Sequence, residues 1–125
     1  MKFFVYIQQE AGRINSISME ALKGAQEIAE HTDGTVTAVT FNLDAGKQLT
    51  EYALDEILVI EDPQLMTYNP LYYTKVFEEL ALLESPDIFV FGHSYETRDW
   101  APRLSARLDI PFVSDCIGYK INKEI

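Results

Sequence analysis

Short runs of consecutive apolar residues recur along the chain: Phe3 to Ile7, Val36 to Phe41, Ile57 to Ile60, Ile88 to Phe91, and Phe112-Val113. They are rich in β-branched and aromatic side chains and mostly lack polar alternation, which predicts strands buried on both faces. Between them, apolar residues fall at helical spacing. Ala21, Leu22, Ala25, Ile28 and Ala29 line one face of a helix that Ser18 would cap and Asp33-Gly34 would end. A shorter helix is expected over Ala45 to Ala53, with Gly46 inside it. The third and longest expected helix follows Asn69-Pro70, turns Tyr73, Val76, Phe77, Leu80 and Leu83 to the core, and stops at Ser85-Pro86. A fourth, from near Thr97 to Asp109, sets Trp100, Ala101, Leu104 and Leu108 opposite Asp99, Arg103 and Arg107, and Pro111 blocks its continuation.

Strands alternating with helices predict a single α/β domain over residues 1–125, with three layers and a mainly parallel five-stranded sheet. The stretch from Asp115 to Ile125 departs from the pattern: Cys116, Ile117, Tyr119, Ile121 and Ile125 are apolar, yet no helix follows.

Charge and cysteine content narrow the function classes. Ten Lys and Arg against twenty Asp and Glu give a formal charge of −10, the wrong sign for nonspecific binding to nucleic acid or an anionic membrane. Cys116 is the only cysteine, so no internal disulfide can form, and with two histidines there is no zinc-like spacing. The N-terminal apolar run is too short for a signal peptide or a membrane span. These features favour the bacterial cytosol and no direct membrane insertion.

An open α/β sheet binds ligands beyond the carboxyl ends of its strands, which directs attention to the loops Gln8 to Ser16 and Gly92 to Thr97. Their only glycines are Gly12 and Gly92, and no Walker or dinucleotide fingerprint is present. Glu10, Asp44, Glu61, Asp62 and Glu96 face the same end, where carboxylates repel phosphate. A small domain binding or hydrolysing AMP or ATP would use Gly92, Ser94, Arg98 and Asp99; the simpler reading is that Gly92 permits a tight strand-to-helix turn. His93 and Ser94 are adjacent and point apart, so no activated nucleophile is assembled, and no catalytic residue is expected. Cys116 reads as a small buried hydrophobe. Tyr68, Tyr72 and Tyr73 read as helix packing. Asp99, Arg103 and Arg107 read as a solvated face or, with Trp100 taken as exposed beside them, as a contact for an acidic neighbour.

Several separated segments carry a family likeness. Phe4-Val5-Tyr6-Ile7, then Ser18-Met19-Glu20-Ala21-Leu22 with Ala25, then Val36-Thr37-Ala38-Val39, resemble the opening of the electron transfer flavoprotein α subunit. The most specific match is Gly92-His93-Ser94, followed by Arg98-Asp99-Trp100-Ala101-Pro102-Arg103-Leu104-Ser105-Ala106-Arg107-Leu108 and Ser114-Asp115. Tyr95-Glu96-Thr97 stands where the family often has a small residue or glycine before the arginine-aspartate pair.

The resemblance implies the N-terminal domain of that subunit, with a Rossmann-like fold of the adenine nucleotide α-hydrolase type and strand order 3-2-1-4-5. It implies a scaffold role in a heterodimer with the β subunit. The intact complex would carry electrons from flavin dehydrogenases, such as acyl-CoA dehydrogenases of fatty acid β-oxidation, to a quinone reductase. Its FAD would be held mainly by a C-terminal domain absent from these 125 residues. In an intact subunit Ile117, Tyr119 and Ile121 would be covered by later chain, so the isolated domain is expected to self-associate weakly through them.

Overall fold

Every apolar run between residues 1 and 110 becomes a strand, and every stretch with helical spacing a helix. The computed structural model describes residues 1–110, running β1 (Lys2–Tyr6), β2 (Gln9–Glu10), β3 (Arg13–Ile14), α1 (Ser16–Thr32), β4 (Thr35–Thr40), α2 (Leu43–Gln48), β5 (Glu56–Val59), α3 (Pro70–Glu84), β6 (Ile88–Val90) and α4 (Tyr95–Leu108). The central sheet has the order β5-β4-β1-β6 and is parallel throughout. Counted along the chain, its four strands are arranged 3-2-1-4. The expected fifth strand, Phe112-Val113, lies outside the described residues, as do Cys116 and the tail residues Ile117, Tyr119 and Ile121. Among the described residues no helix is long and apolar enough to cross a membrane.

The two-residue period of a strand explains why β1 is apolar at every position after Lys2. Phe3, Val5 and Ile7 point to the face covered by α1, where they meet Leu22, Ala25 and Ala29. Phe4 and Tyr6 point to the opposite face and pack with Tyr73, Phe77, Trp100 and Leu104 of α3 and α4. Both faces are covered, giving the three-layer α/β architecture.

Local chemistry moves several boundaries. Asn15, not Ser18, caps α1: its Oδ1 accepts from the Ile17 amide at 2.8 Å. Ser18 is buried inside the helix, where its Oγ accepts from the Gln8 amide at 2.9 Å. At 17 residues α1 is also longer than α3 at 15, the reverse of the expected order. Asn42 starts α2 earlier than Ala45, and the chain tightens into a 3₁₀ turn at Leu49–Glu51, well short of Ala53. Gly46 is required by packing, because a Cβ there would stand 2.5 Å from Val59 Cγ2.

Asn69 caps α3 with Pro70 in its first turn, and Ser85 closes it in the left-handed conformation. Leu83 is 82% exposed rather than in the core. It is rotated away from the stripe formed by Tyr73, Phe77 and Leu80, while Thr74 is buried and returns its hydroxyl to the Pro70 carbonyl at 2.7 Å. Trp100 is fully buried, which overturns its reading as an exposed partner for Arg103 and Arg107. It lies on the same side of α4 as Leu104, facing the sheet. The charged side of α4 is not one continuous ladder either: Asp99 pairs with Arg103 at 3.8 Å, whereas Arg107 reaches across to Glu78 of α3.

Candidate functional site

β1 has β4 on one side and β6 on the other, so its carboxyl end is the place where such a sheet opens a crevice. The loops expected to meet there do meet. A cavity of about 570 Å³ is lined by Gln8, Glu10, Arg13, Tyr68, Tyr73 and Glu96 among others. A second of about 450 Å³ is lined by Ile17, His93, Ser94, Tyr95 and Arg98. Gln8, Asn15 and Glu96 border both.

Gln8 is the centre of the site, and sequence inspection does not single it out. Its amide Oε1 accepts from Ser94 Oγ at 2.5 Å, and its Nε2 donates to Glu96 Oε2 at 3.1 Å. The first turn of α4 is closed by a capping box. The Thr97 amide donates to Ser94 Oγ at 3.2 Å and the Ser94 amide to Thr97 Oγ1 at 3.1 Å, while the Thr97 hydroxyl reaches the Gly92 carbonyl. Ser94 is therefore engaged in holding the helix start and in anchoring Gln8.

Gly92 has a steric role. Its backbone is not left-handed, but a Cβ there would meet Ile17 Cγ2 at 2.9 Å and the Ile17 carbonyl carbon and oxygen at 3.0 Å. The turn between β6 and α4 thus packs directly on the first turn of α1. The glycine that needs a left-handed backbone is Gly12, with φ of 84° beside Ala11 at 52°. Two consecutive positive φ values suit a two-residue hairpin turn, and the loop after β1 accordingly forms the antiparallel β2–β3 hairpin. An Ala-Gly pair is a weak hairpin signal, and two-residue strands carry no detectable alternation.

The remaining expected site residues separate. Arg98 extends over the exposed Tyr95 ring, 6.0 Å from its centroid. Asp99 turns towards the other side, where it accepts the Tyr68 hydroxyl at 2.6 Å, and it borders neither cavity. Tyr72 donates to Asp62 at 2.5 Å, which lowers the Asp62 pKa, helped by the Gln64 amide. Tyr73 belongs to the buried core. Burial, and secondarily the hydrogen bond to Asp99, keeps the Tyr68 hydroxyl protonated far above the usual tyrosine range. Glu96 has its pKa raised, first by burial and then by the neighbouring charge of Glu10.

Among the described residues no group of three or more His, Cys, Asp and Glu side chains could hold a metal ion. The site is an amide-lined cleft at a helix start, with Glu10 and Glu96 set against Arg13 and Arg98.

Residues 3–125 match the family model described as the electron transfer flavoprotein domain. A protein named FixB from Clostridium saccharobutylicum is 31% identical over 97% of this chain, which corresponds to 37% of that protein. The electron transfer flavoprotein subunit alpha of Bacillus subtilis is 31% identical over 88% of this chain and 34% of its own length. The acryloyl-CoA reductase electron transfer subunit beta of Anaerotignum propionicum is 24% identical over 95% of this chain and 33% of its own length. The chain thus spans about a third of the length of these curated relatives.

Proposed function

The chain belongs to the electron transfer flavoprotein domain family, and from that membership we propose that it forms the N-terminal scaffold domain of an electron transfer flavoprotein α subunit. In this reading it supports a heterodimer with a β subunit in the bacterial cytosol. The intact complex takes electrons from flavin dehydrogenases, such as acyl-CoA dehydrogenases, and delivers them to a quinone reductase. Residues 1–125 act as one domain without catalytic chemistry of their own.

The observation that carries the scaffold role is the chemistry of the cleft. A flavin pyrophosphate or an AMP phosphate needs free amides or cations at the helix start. Here Glu96 occupies the first turn of α4, the two lining cations Arg13 and Arg98 are matched by the carboxylates of Glu10 and Glu96, and the Ser94–Thr97 capping box uses the polar groups there. These residues do not suit the phosphates of FAD, so the flavin site is assigned to the C-terminal domain that the family resemblance implies. Gly92 and Ser94 are read as structural, the first by its contact with α1 and the second as a helix cap. Arg98 and Asp99 are read as surface residues held by Tyr95 and Tyr68.

Sedimentation velocity with the β-type subunit of the same organism tests the partnership. The expected result is a faster-moving one-to-one complex that persists as salt is raised moderately. Independent sedimentation of the two folded chains at tens of micromolar would contradict the proposed role.

A further inference from the structure

The β2–β3 hairpin forms a fixed wall of the larger cavity. Its tip glycine, Gly12, is buried, and Gln48 Nε2 donates to the Gly12 carbonyl at 2.8 Å. Asn42 and Asp44 pack so close to it that an added Cβ would stand 3.3 Å from each. Register sets Glu10 directly across from Arg13, and both line the cavity. Neither belongs to an ion pair among the described residues. Glu96 enters the same cavity from the first turn of α4, close enough for the Glu10 charge to bear on it.

The amide side chains between these charges are each anchored at one atom. Gln9 Oε1 accepts from the Gly12 amide at 2.8 Å, and Asn15 Oδ1 from the Ile17 amide at 2.8 Å. Gln8 Nε2 donates to Glu96 Oε2 at 3.1 Å. These bonds hold the groups in place and leave others unused: Gln9 Nε2, Asn15 Nδ2, the Arg13 guanidinium, the Glu10 carboxylate and Glu96 Oε1 make no hydrogen bond among the described residues. Ile14, Leu65 and Met66 add an apolar side to the same cavity, and Met66 is 86% exposed.

We propose that this cavity binds a free α-amino acid with an apolar side chain. The inference does not depend on the family reading. The ammonium group sits between Glu10 and Glu96, and the carboxylate on Arg13 with the amides of Gln9 and Asn15. The side chain lies along Ile14, Leu65 and Met66. Hydrogen bonds between ionised partners are the strong ones, and only a zwitterion satisfies both signs of charge in the lining. A phosphate ester or a dicarboxylate would set a second anion against the two glutamates, and a diamine would set a second cation against Arg13. A cavity of about 570 Å³ is of the size that holds small molecules. Because its polar groups are already anchored, little ordering opposes binding.

Proton–nitrogen correlation spectra of the 125-residue chain, titrated with L-leucine, test the site. The expected result is saturable shifts at the amides of Gly12, Arg13, Asn15 and Glu96. L-leucinamide, which lacks the carboxylate, and N-acetyl-L-leucine, which lacks the ammonium, should each bind about tenfold more weakly or worse. Arg13→Gln should weaken L-leucine by a similar factor and abolish its preference over L-leucinamide. Glu10→Gln should weaken it too and narrow its preference over N-acetyl-L-leucine. Arg98→Gln, which borders only the smaller cavity, should change neither. An absence of saturable shifts up to tens of millimolar L-leucine would overturn the proposal. So would equal binding of L-leucinamide, which would mark a general cation site, or binding indifferent to Arg13→Gln.

Discussion

Trp100→Ala is expected to remove about 3–5 kcal/mol of folding stability, the range for deleting a large buried aromatic side chain. The indole is fully buried. Its ring centroid lies 5.0 Å from Phe77, 5.1 Å from Phe91, 5.5 Å from Tyr6 and 5.8 Å from Tyr73. It therefore joins α4 both to α3 and to the sheet, and no neighbour is free to fill the space it leaves. Domains of this kind are stable by roughly 5–15 kcal/mol, so a large share of the margin would go. Urea unfolding followed by far-ultraviolet circular dichroism measures the loss. Trp100→Phe should cost less, because it keeps an aromatic ring and removes an indole N–H that has no hydrogen-bond partner among the described residues. Near wild-type stability in Trp100→Ala would mean that the residue sits on the surface of α4 after all.

Gly92→Ala is the second large effect, at about 1–3 kcal/mol, the usual cost of forcing an extra methyl into a filled site. The obstruction includes the Ile17 carbonyl at 3.0 Å. Backbone in the first turn of α1 cannot rotate away as the end of a side chain can, so the turn between β6 and α4 must shift. That shift would disturb the Ser94 cap and the Gln8 bridge with it. Gly24→Ala is the matched control: nothing lies within 4 Å of its added Cβ, and replacing a mid-helix glycine should stabilise by about 0.5–1 kcal/mol. Both values come from the same urea titrations. A neutral Gly92→Ala would remove the steric account and return this glycine to the reading in which its role is to bind a ligand.

The four parallel strands were legible in the sequence as short apolar runs rich in β-branched and aromatic residues; β1 and β4 at the centre are buried along nearly their whole length, β5 and β6 at the edges only partly. Asn69-Pro70 and Ser85-Pro86 marked α3 for equally local reasons, a side-chain cap at one end and a proline beyond the other. Trp100 shows where a helical face can be misread. Its spacing with Ala101 and Leu104 placed it on the core face, as the structure has it, and the error was only to take it also as exposed beside the arginines three and seven residues later. Leu83 shows the opposite error, an apolar residue taken for core although it lies off the buried stripe. The cleft was legible as two loops converging, but its chemistry was not. The bridge from Gln8 to Ser94 and Glu96 joins residues 86 and 88 positions apart, and only the pairing of β1 with β6 brings them together.

Isothermal titration calorimetry of the 125-residue chain with AMP, ATP and FAD tests the central claim most directly, since a scaffold domain whose cleft cations are matched by carboxylates and a separate nucleotide-binding domain differ in this one property. The account predicts no saturable heat for any of the three up to millimolar ligand. Micromolar, stoichiometric binding of one of them, weakened by Arg98→Ala, would contradict it.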